Sequence, residues 1–537
     1  MTSSVSTVDV LVIGAGAAGS VVAARLTEDP DVEVLLLEAG TAEVTDAVRT
    51  PWRWNEVLLT DLDWAYMSEP QPGMGGARVY SAAGRGLGGT SNVYHMIHTR
   101  GRPSDYDGWA AQGAKGWSYA EVLPHLQRLE GQRDDTNPTA GRDGPISVVN
   151  AADTGSPISQ SFLDACVELG HPLAADFNST DFGAGWHHVD IEPGPDGPVR
   201  SGAYAGYLAP ALARPNLTTE VGALVTELLF EGDRCVGARY LQDGRLRTAR
   251  ARHEVVLSAG AIQSPKVLML SGIGEPGQLA AAGVEVRVDL PGVGENFHDH
   301  PLIIGPIGYL DRPGPDPRGQ VTEVALFAAS EAGMAVPDLE ICLVHRAPFG
   351  EKFFANVITR VQTGQPVAPV AELVDPHVVL ALPGLVRPES RGSVRLAGPD
   401  PSAYPLVSAN YYGERVDLER TTTMVEIARE IYRTEAFTSE WGITEVAPGP
   451  TVTDRAALTE WVVANTGSYY HFAGSCRMGA DDDAGAVVDP ELKVRGTTGL
   501  RVVDASVMPT LVSANPHTTV LMIAERAAEL IAADLGR

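Results

Sequence analysis

Histidine is the side chain best suited to accept a proton near neutral pH, and its placement in this chain repays attention. The segment "SANPHTTVLMIAERAAELI" (513–531) starts a helix with one. Val520, Leu521, Ile523, Ala524, Ala527, Ala528, Leu530 and Ile531 recur at helical spacing, with Glu525, Arg526 and Glu529 on the other face. Ser513 or Asn515 is positioned to cap that helix, and Pro516 suits its first position, where the missing N–H has no intrahelical partner. His517 then falls in the first turn, among free N–H groups and the positive end of the helix dipole, where an anion or a neutral imidazole is favoured. On this segment alone, a plain helix start is the simpler account.

Other chemistry-bearing groups read as structural. His298-Asp299-His300 resembles a metal cluster, but ligands two apart on an extended stretch need further partners, so a hydrogen-bonded role is expected and no metal site is assigned. Trp186-His187-His188 reads as one satisfied and one exposed histidine, and Asp481-Asp482-Asp483 as a solvated loop. Cys166, Cys235, Cys342 and Cys476 form no CxxC pair, and Cys476 reads as a small packed side chain.

The elements that must position these groups begin at the N-terminus. "VDVLVI" (8–13) is an apolar β-branched run that leads into Gly14-Ala15-Gly16-Ala17-Ala18-Gly19, a helical stretch, and a second strand ending at Glu38. This is the βαβ dinucleotide fingerprint in its proper context. Gly14 permits the tight turn, Gly16 lets backbone approach a pyrophosphate, Gly19 lets helix and strand pack closely, and Glu38 is placed to accept from a ribose. The fingerprint does not separate NAD from FAD.

Composition sets outer limits. A chain of 537 residues, 44% hydrophobic and 20% charged, is an ordinary globular protein too long for one small core. A net charge of −28 argues against nucleic acid and anionic membranes as partners. There is no apolar run of about 18 residues, and the first residues lack the basic and apolar regions of a signal peptide, so a cytoplasmic protein with no membrane span is expected, as a monomer or homo-oligomer.

Further segments specify the class. "GRGLGGTS" (84–91), "GAIQSPKVLMLSGIG" (260–274), "HFAGSCRMG" (471–479) and "VVDASVMP" (502–509) follow the fingerprint in order, with "RPESRGSVRL" (387–396) between them. The chain therefore resembles the glucose-methanol-choline (GMC) family of FAD-dependent oxidoreductases over nearly its whole length. The resemblance implies an α/β fold, with a Rossmann-like FAD domain and a substrate domain whose antiparallel sheet, flanked by helices, covers the isoalloxazine ring. The FAD domain is expected at 1–155, 215–310 and 456–537, and the substrate domain at 156–214 and 311–455. Around FAD the resemblance places Gly14, Gly16, Ala17, Gly19, Glu38, Ala39, Gly84, Gly89, Thr90, Asn92, Val93, Val225, Asp504 and Ala505. It implies His471 as general base and His517 as the group that orients the substrate hydroxyl and stabilises the developing alkoxide.

The glycine-rich loop departs from the family at Val93-Tyr94, where a small or aliphatic residue and then Asn or His are usual. Members with flavin linked covalently to a histidine of this loop carry it at the position of Val93, so noncovalent FAD is expected, with a linkage at His95 as the alternative. Tyr94 alters the surroundings of the flavin edge. The implied activity is oxidation of a small or medium alcohol, with oxygen or another acceptor taking the electrons. The alternatives are non-redox or light-driven use of the same scaffold, as a cyanohydrin-type lyase or decarboxylase, and an NAD-linked dehydrogenase.

Overall fold

The computed structural model describes residues 6–179, 182–316, 322–346 and 375–537, so parts of the insertion expected over 311–455 lie outside the described residues. The strand Ser6–Ile13, with its last four residues buried, pairs in parallel with Val34–Leu37 on one side and Arg245–Leu257 on the other. Leu217–Glu220 continues the parallel order beyond Val34–Leu37, and Leu500–Val502 adds in parallel to Arg245–Leu257. Arg234–Gln242 and Leu224–Glu231 complete an antiparallel edge. Apolar runs such as Val34–Leu37 are buried throughout, as a parallel sheet covered on both faces requires.

A second, antiparallel sheet runs in the order Thr444–Ala447, Ile307–Tyr309, Val378–Leu385, Leu339–His345, Thr322–Ala328, Gly183–Trp186, with Pro301–Ile303 and Thr466–Ser468 attached at its side. Alternation along its strands divides two faces. Leu339, Ile341 and Leu343 pack with helices Pro157–Glu168 and Arg415–Arg433, whereas Cys342 and Val344 face Ile97 and Phe177 from the glycine-rich-loop side. A four-stranded sheet of Glu130–Gln132, Ile146–Asn150, His188–Gly194 and Gly197–Arg200 stands between the two.

Several expected boundaries separate elements that pair or pack together. The division at 155 separates Ile146–Asn150 from its partner His188–Gly194. Ala203, Tyr207 and Leu208, ahead of the division at 214, already belong to the first core, and Ile307–Tyr309 belongs to the second sheet although it precedes residue 311. The hairpin Ser393–Arg395 with Leu406–Ser408 packs on the first core through Val394 and Val407. Chain segments alternate between the layers more often than composition reveals.

The final helix, His517–Asp534, lies against Ala17–Leu26. Periodicity put Glu525 on the outer face, but it is fully buried: Arg25 donates to both its oxygens and the Tyr207 hydroxyl donates to Oε1 at 2.6 Å. A neighbouring helix supplies the cation, which single-helix periodicity cannot anticipate. Removing one partner of such a pair strands the other. Glu525→Ala should therefore destabilise the protein by about 2–4 kcal/mol, seen as a lowered apparent unfolding temperature, while Glu529→Ala, at an exposed position, should leave it nearly unchanged.

Candidate active site

The nucleotide end is built from glycines with distinct duties. Gly14 has φ +99°, and a Cβ there would lie 2.5 Å from the Ser258 carbonyl oxygen. A Cβ on Gly19 would lie 1.9 Å from the Gly14 carbonyl oxygen, so this glycine sets the helix-to-strand approach. A Cβ on Gly16 would meet nothing closer than the Gly89 Cα at 3.9 Å, so its position over open backbone fits a cradle for a pyrophosphate. The helix from Ala17 has no side-chain cap and no acidic residue in its first turn, leaving its N–H groups to an anion. Gly89 is pressed on Gly16 and Gly84 on Gly89, where added Cβ atoms would fall 2.6 Å and 2.1 Å from backbone atoms.

The other expected cofactor residues surround this cradle. Glu38 accepts from Ala15 N, Gly40 N and Gly86 N at 2.8–3.1 Å, so it braces the loops as well as ending its strand. Ala39 offers its carbonyl to Arg85, and Val225 lies just beyond Ala223, whose N–H bonds to the Glu38 carbonyl. Thr90 Oγ1 accepts from Gly84 N, and Asn92 donates to the Leu87 carbonyl. Val93 is packed among Val48, Val57, Leu58 and Ala82. Asp504 accepts from Gly260 N, Ser264 Oγ and Ser506 N, and Ala505 opens the short helical turn that follows.

His471 is reached through strain. Tyr470 takes φ +61°, unusual for a bulky residue, and is held by a bond from its N–H to Ser468 Oγ. His471 N donates to Asp299 Oδ1 at 2.7 Å, and Asp299 Oδ2 accepts from Ser468 and from Tyr411 at 2.5 Å. Burial raises the Asp299 carboxyl to about 6 against these donors. The His471 ring stacks on Tyr469 at 4.3 Å, and its Nδ1 is 2.9 Å from Nδ1 of His300. Burial, then His300 and His95, hold His471 well below the ordinary imidazole range, so it is neutral.

His517 stands at the first position of the last helix, but Pro516 is itself the capping position and no side chain caps it. Ser513 is engaged with Asp105 and Arg387, which corrects the expected cap. Asn515 instead reaches Tyr469, so the two histidine segments lie side by side. The loop Tyr94-His95 runs between them, with Tyr94 leaning on His517 at 4.2 Å and His95 close enough to depress His471.

The remaining histidines are settled by their partners. His298 Nε2 accepts from Leu511 N and its Nδ1 meets the Asn296 carbonyl, a structural pairing. His300 instead touches His471, so it supports the site. His187 and His188 are both buried, which corrects the expectation that one is exposed. His188 lies between Asp134 and Asp176, and His187 Nε2 lies 3.7 Å from Cys342 Sγ, beside Glu340. Asp190, Tyr469 and Glu340 carry no sequence signal of their own, because only the fold brings them here.

Two family models described as GMC oxidoreductase match residues 8–302 and 388–524. The chain belongs to the GMC oxidoreductase family. It is 37% identical to the mitochondrial choline dehydrogenase of Homo sapiens, over 97% of this chain and 89% of that one. It is 36% identical to an oxygen-dependent choline dehydrogenase of Chromohalobacter salexigens, over 97% and 94%. Among solved structures it resembles pyridoxine 4-oxidase from Mesorbium loti, with TM-score 0.88 and 31% identity over 97% and 98% of the two chains, and a fungal aryl-alcohol oxidase, with TM-score 0.81 and 25% identity over 99% of each. GMC oxidoreductases bind FAD, and this chain is an enzyme of that family acting on CH–OH donors, oxidising an alcohol to an aldehyde or ketone by hydride transfer to flavin. No helix among the described residues is long and apolar enough to cross a membrane.

The glycine geometry separates folding from cofactor binding. Gly16→Ala should leave the apoprotein's unfolding temperature within a degree or two while lowering FAD affinity about tenfold or more. Gly19→Ala should destabilise the apoprotein itself, because its Cβ meets fixed backbone. Equal effects of the two on the apoprotein would contradict this division.

Proposed function

We propose that the substrate alcohol binds with its hydroxyl between His471 and His517, beside a noncovalently held FAD. When bound, FAD supplies the two-electron acceptor for the hydride leaving the carbinol carbon. The observation that carries this reading is the pair of partly exposed imidazoles, brought together from two distant segments, each with Nδ1 turned to a buried partner. That orientation leaves each Nε2 for a ligand. An uncharged imidazole accepts a hydroxyl proton, and the two together fix the hydroxyl so that the carbinol hydrogen faces away from them. The N–H groups opening the last helix favour negative charge beside them.

Gly14, Gly16, Gly19 and the first turn from Ala17 would hold the pyrophosphate, Glu38 the ribose, and the loop from Gly84 to Val93 with Asp504 and Ala505 the flavin side. Val93 in its apolar cluster supports noncovalent attachment, and His95, 2.9 Å from Thr322 Oγ1 and edge-on to Trp54, is already engaged. Burial pushes His95 down to about 4, so it too is neutral. Four free, buried cysteines support a reducing compartment such as the cytoplasm. Trp54, Tyr94, Tyr469 and Tyr470, all partly exposed, would give the substrate aromatic surroundings. Choline and pyridoxine, the alcohols named by similar proteins, are the first substrates to offer.

His471→Ala should retain FAD but slow anaerobic flavin reduction by the best alcohol about 10²–10⁴-fold in stopped-flow measurements; reduction near the wild-type rate would contradict its role. Acid precipitation should leave the yellow colour in the supernatant, whereas colour in the pellet would point to the linkage at His95.

A further inference from the structure

His517 is not alone at the head of the last helix. Its Nδ1 lies 3.4 Å from Oδ2 of Asp190, and the Tyr94 hydroxyl donates to that same oxygen at 2.7 Å. Oδ1 of Asp190 is 2.6 Å from His98 Nδ1, and His98 Nε2 is 3.2 Å from Glu130 Oε1. Arg100 Nε donates to the same Glu130 oxygen at 2.6 Å, and its guanidinium reaches the second oxygen as well. Asp190 and Glu130 are fully buried, with His98 at 1% and Arg100 at 2% exposure.

The charges along this line alternate. Burial alone would raise the Asp190 carboxyl, but His98 and the facing His517 hold it down to about 2. Burial alone would lower His98, but Asp190 and Glu130 push it up to about 9, so it is a cation. Arg100 and His98 likewise hold Glu130 ionised against its burial. The Arg200 guanidinium covers the Tyr94 ring at 5.2 Å and donates to the Tyr94 carbonyl. Asp190 is thus a permanent anion whose second oxygen faces a phenol and an imidazole.

We propose that Asp190 is the positioning residue that makes His517 the proton acceptor of the oxidation, with Tyr94 and His98 fixing the carboxylate. This rests on the alcohol-oxidation reading above and reverses the division of labour the family resemblance implies. An ionised carboxylate only accepts hydrogen bonds, so at 3.4 Å it favours the proton on the nitrogen facing it, and Nε2 then keeps its lone pair for the substrate. In the step, the substrate O–H bond would break, its electron pair staying on oxygen and its proton passing to Nε2, while FAD, when bound, would supply the acceptor for the carbinol hydride. The imidazolium so formed has an anion beside it. His471 Nδ1 faces His300, which burial pushes down to about 3 and which offers no charge. His471 therefore holds the hydroxyl oxygen without taking a full charge. Tyr94, the departure from the family pattern in the flavin loop, gains a purpose as the carboxylate's lock.

The test is nitrogen-15 NMR of the histidine-labelled holoenzyme, with His517→Gln assigning the resonance, alongside anaerobic flavin reduction. The wild type should show His517 protonated at Nδ1 in its neutral form. In Asp190→Asn, the cationic His98 keeps the amide oxygen, so the NH2 faces His517 and the proton moves to Nε2. Flavin reduction should then fall on the order of 10²–10⁴-fold with FAD content unchanged. Tyr94→Phe, which keeps the carboxylate, should retain the wild-type tautomer. A wild-type His517 protonated only at Nε2 would overturn the proposal without any variant, and so would an unchanged tautomer or an unchanged reduction rate in Asp190→Asn. Failure of every alcohol to reduce the wild-type flavin would instead overturn the functional reading, with the tautomer result reported separately.

Discussion

Around the site, burial holds His95, His187, His298, His300 and His471 below the ordinary imidazole range, so each sheds its charge. His98 is the exception, because Asp190 and Glu130 flank it. This constraint, that burial neutralises an imidazole unless flanking carboxylates offset it, separates the neutral imidazoles around the site from the cationic His98. It also makes the placement of a few carboxylates decisive for the chemistry.

The fold exists to make those placements. The parallel sheet collects strands from residues 6, 34, 217, 245 and 500 and so returns the chain's last segment to its first helix. The antiparallel sheet carries Cys342 and its neighbours over the loop at Tyr94-His95. Asp190 arrives on the strand His188–Gly194, whose partner is Ile146–Asn150, and neither belongs to the two principal sheets. Arg25, Tyr207 and Glu525 fasten the last helix from behind, which keeps His517 at its head in register with Asp190.

Much of this was legible in the sequence wherever chemistry dictates a local pattern. The fingerprint from Gly14 to Glu38 specified strand, turn and helix, because Gly14 and Gly19 answer close contacts that any side chain would violate and Gly16 leaves the backbone open to a ligand. The periodic run after His517 formed the helix it predicted, His517–Asp534. What escaped was pairwise and long-range. Glu525 looks solvated until Arg25 is placed over it, and Ser513 looks like a cap until Asp105 takes it. Asp190 is one acid among many until strand pairing sets it between His98 and His517. Tyr94 was visible as a departure, but its partner was not.

The account's central claim is that the site at His471 and His517 oxidises an alcohol. The most direct measurement is an anaerobic titration of the yellow holoenzyme with a panel of alcohols including choline and pyridoxine, following the visible flavin absorbance and then admitting air. The account predicts bleaching by at least one alcohol, with one equivalent of aldehyde or ketone formed per flavin. Rapid return of colour in air would mark oxygen as an acceptor, and persistent bleaching a dedicated one. A flavin that every alcohol leaves fully coloured would contradict it.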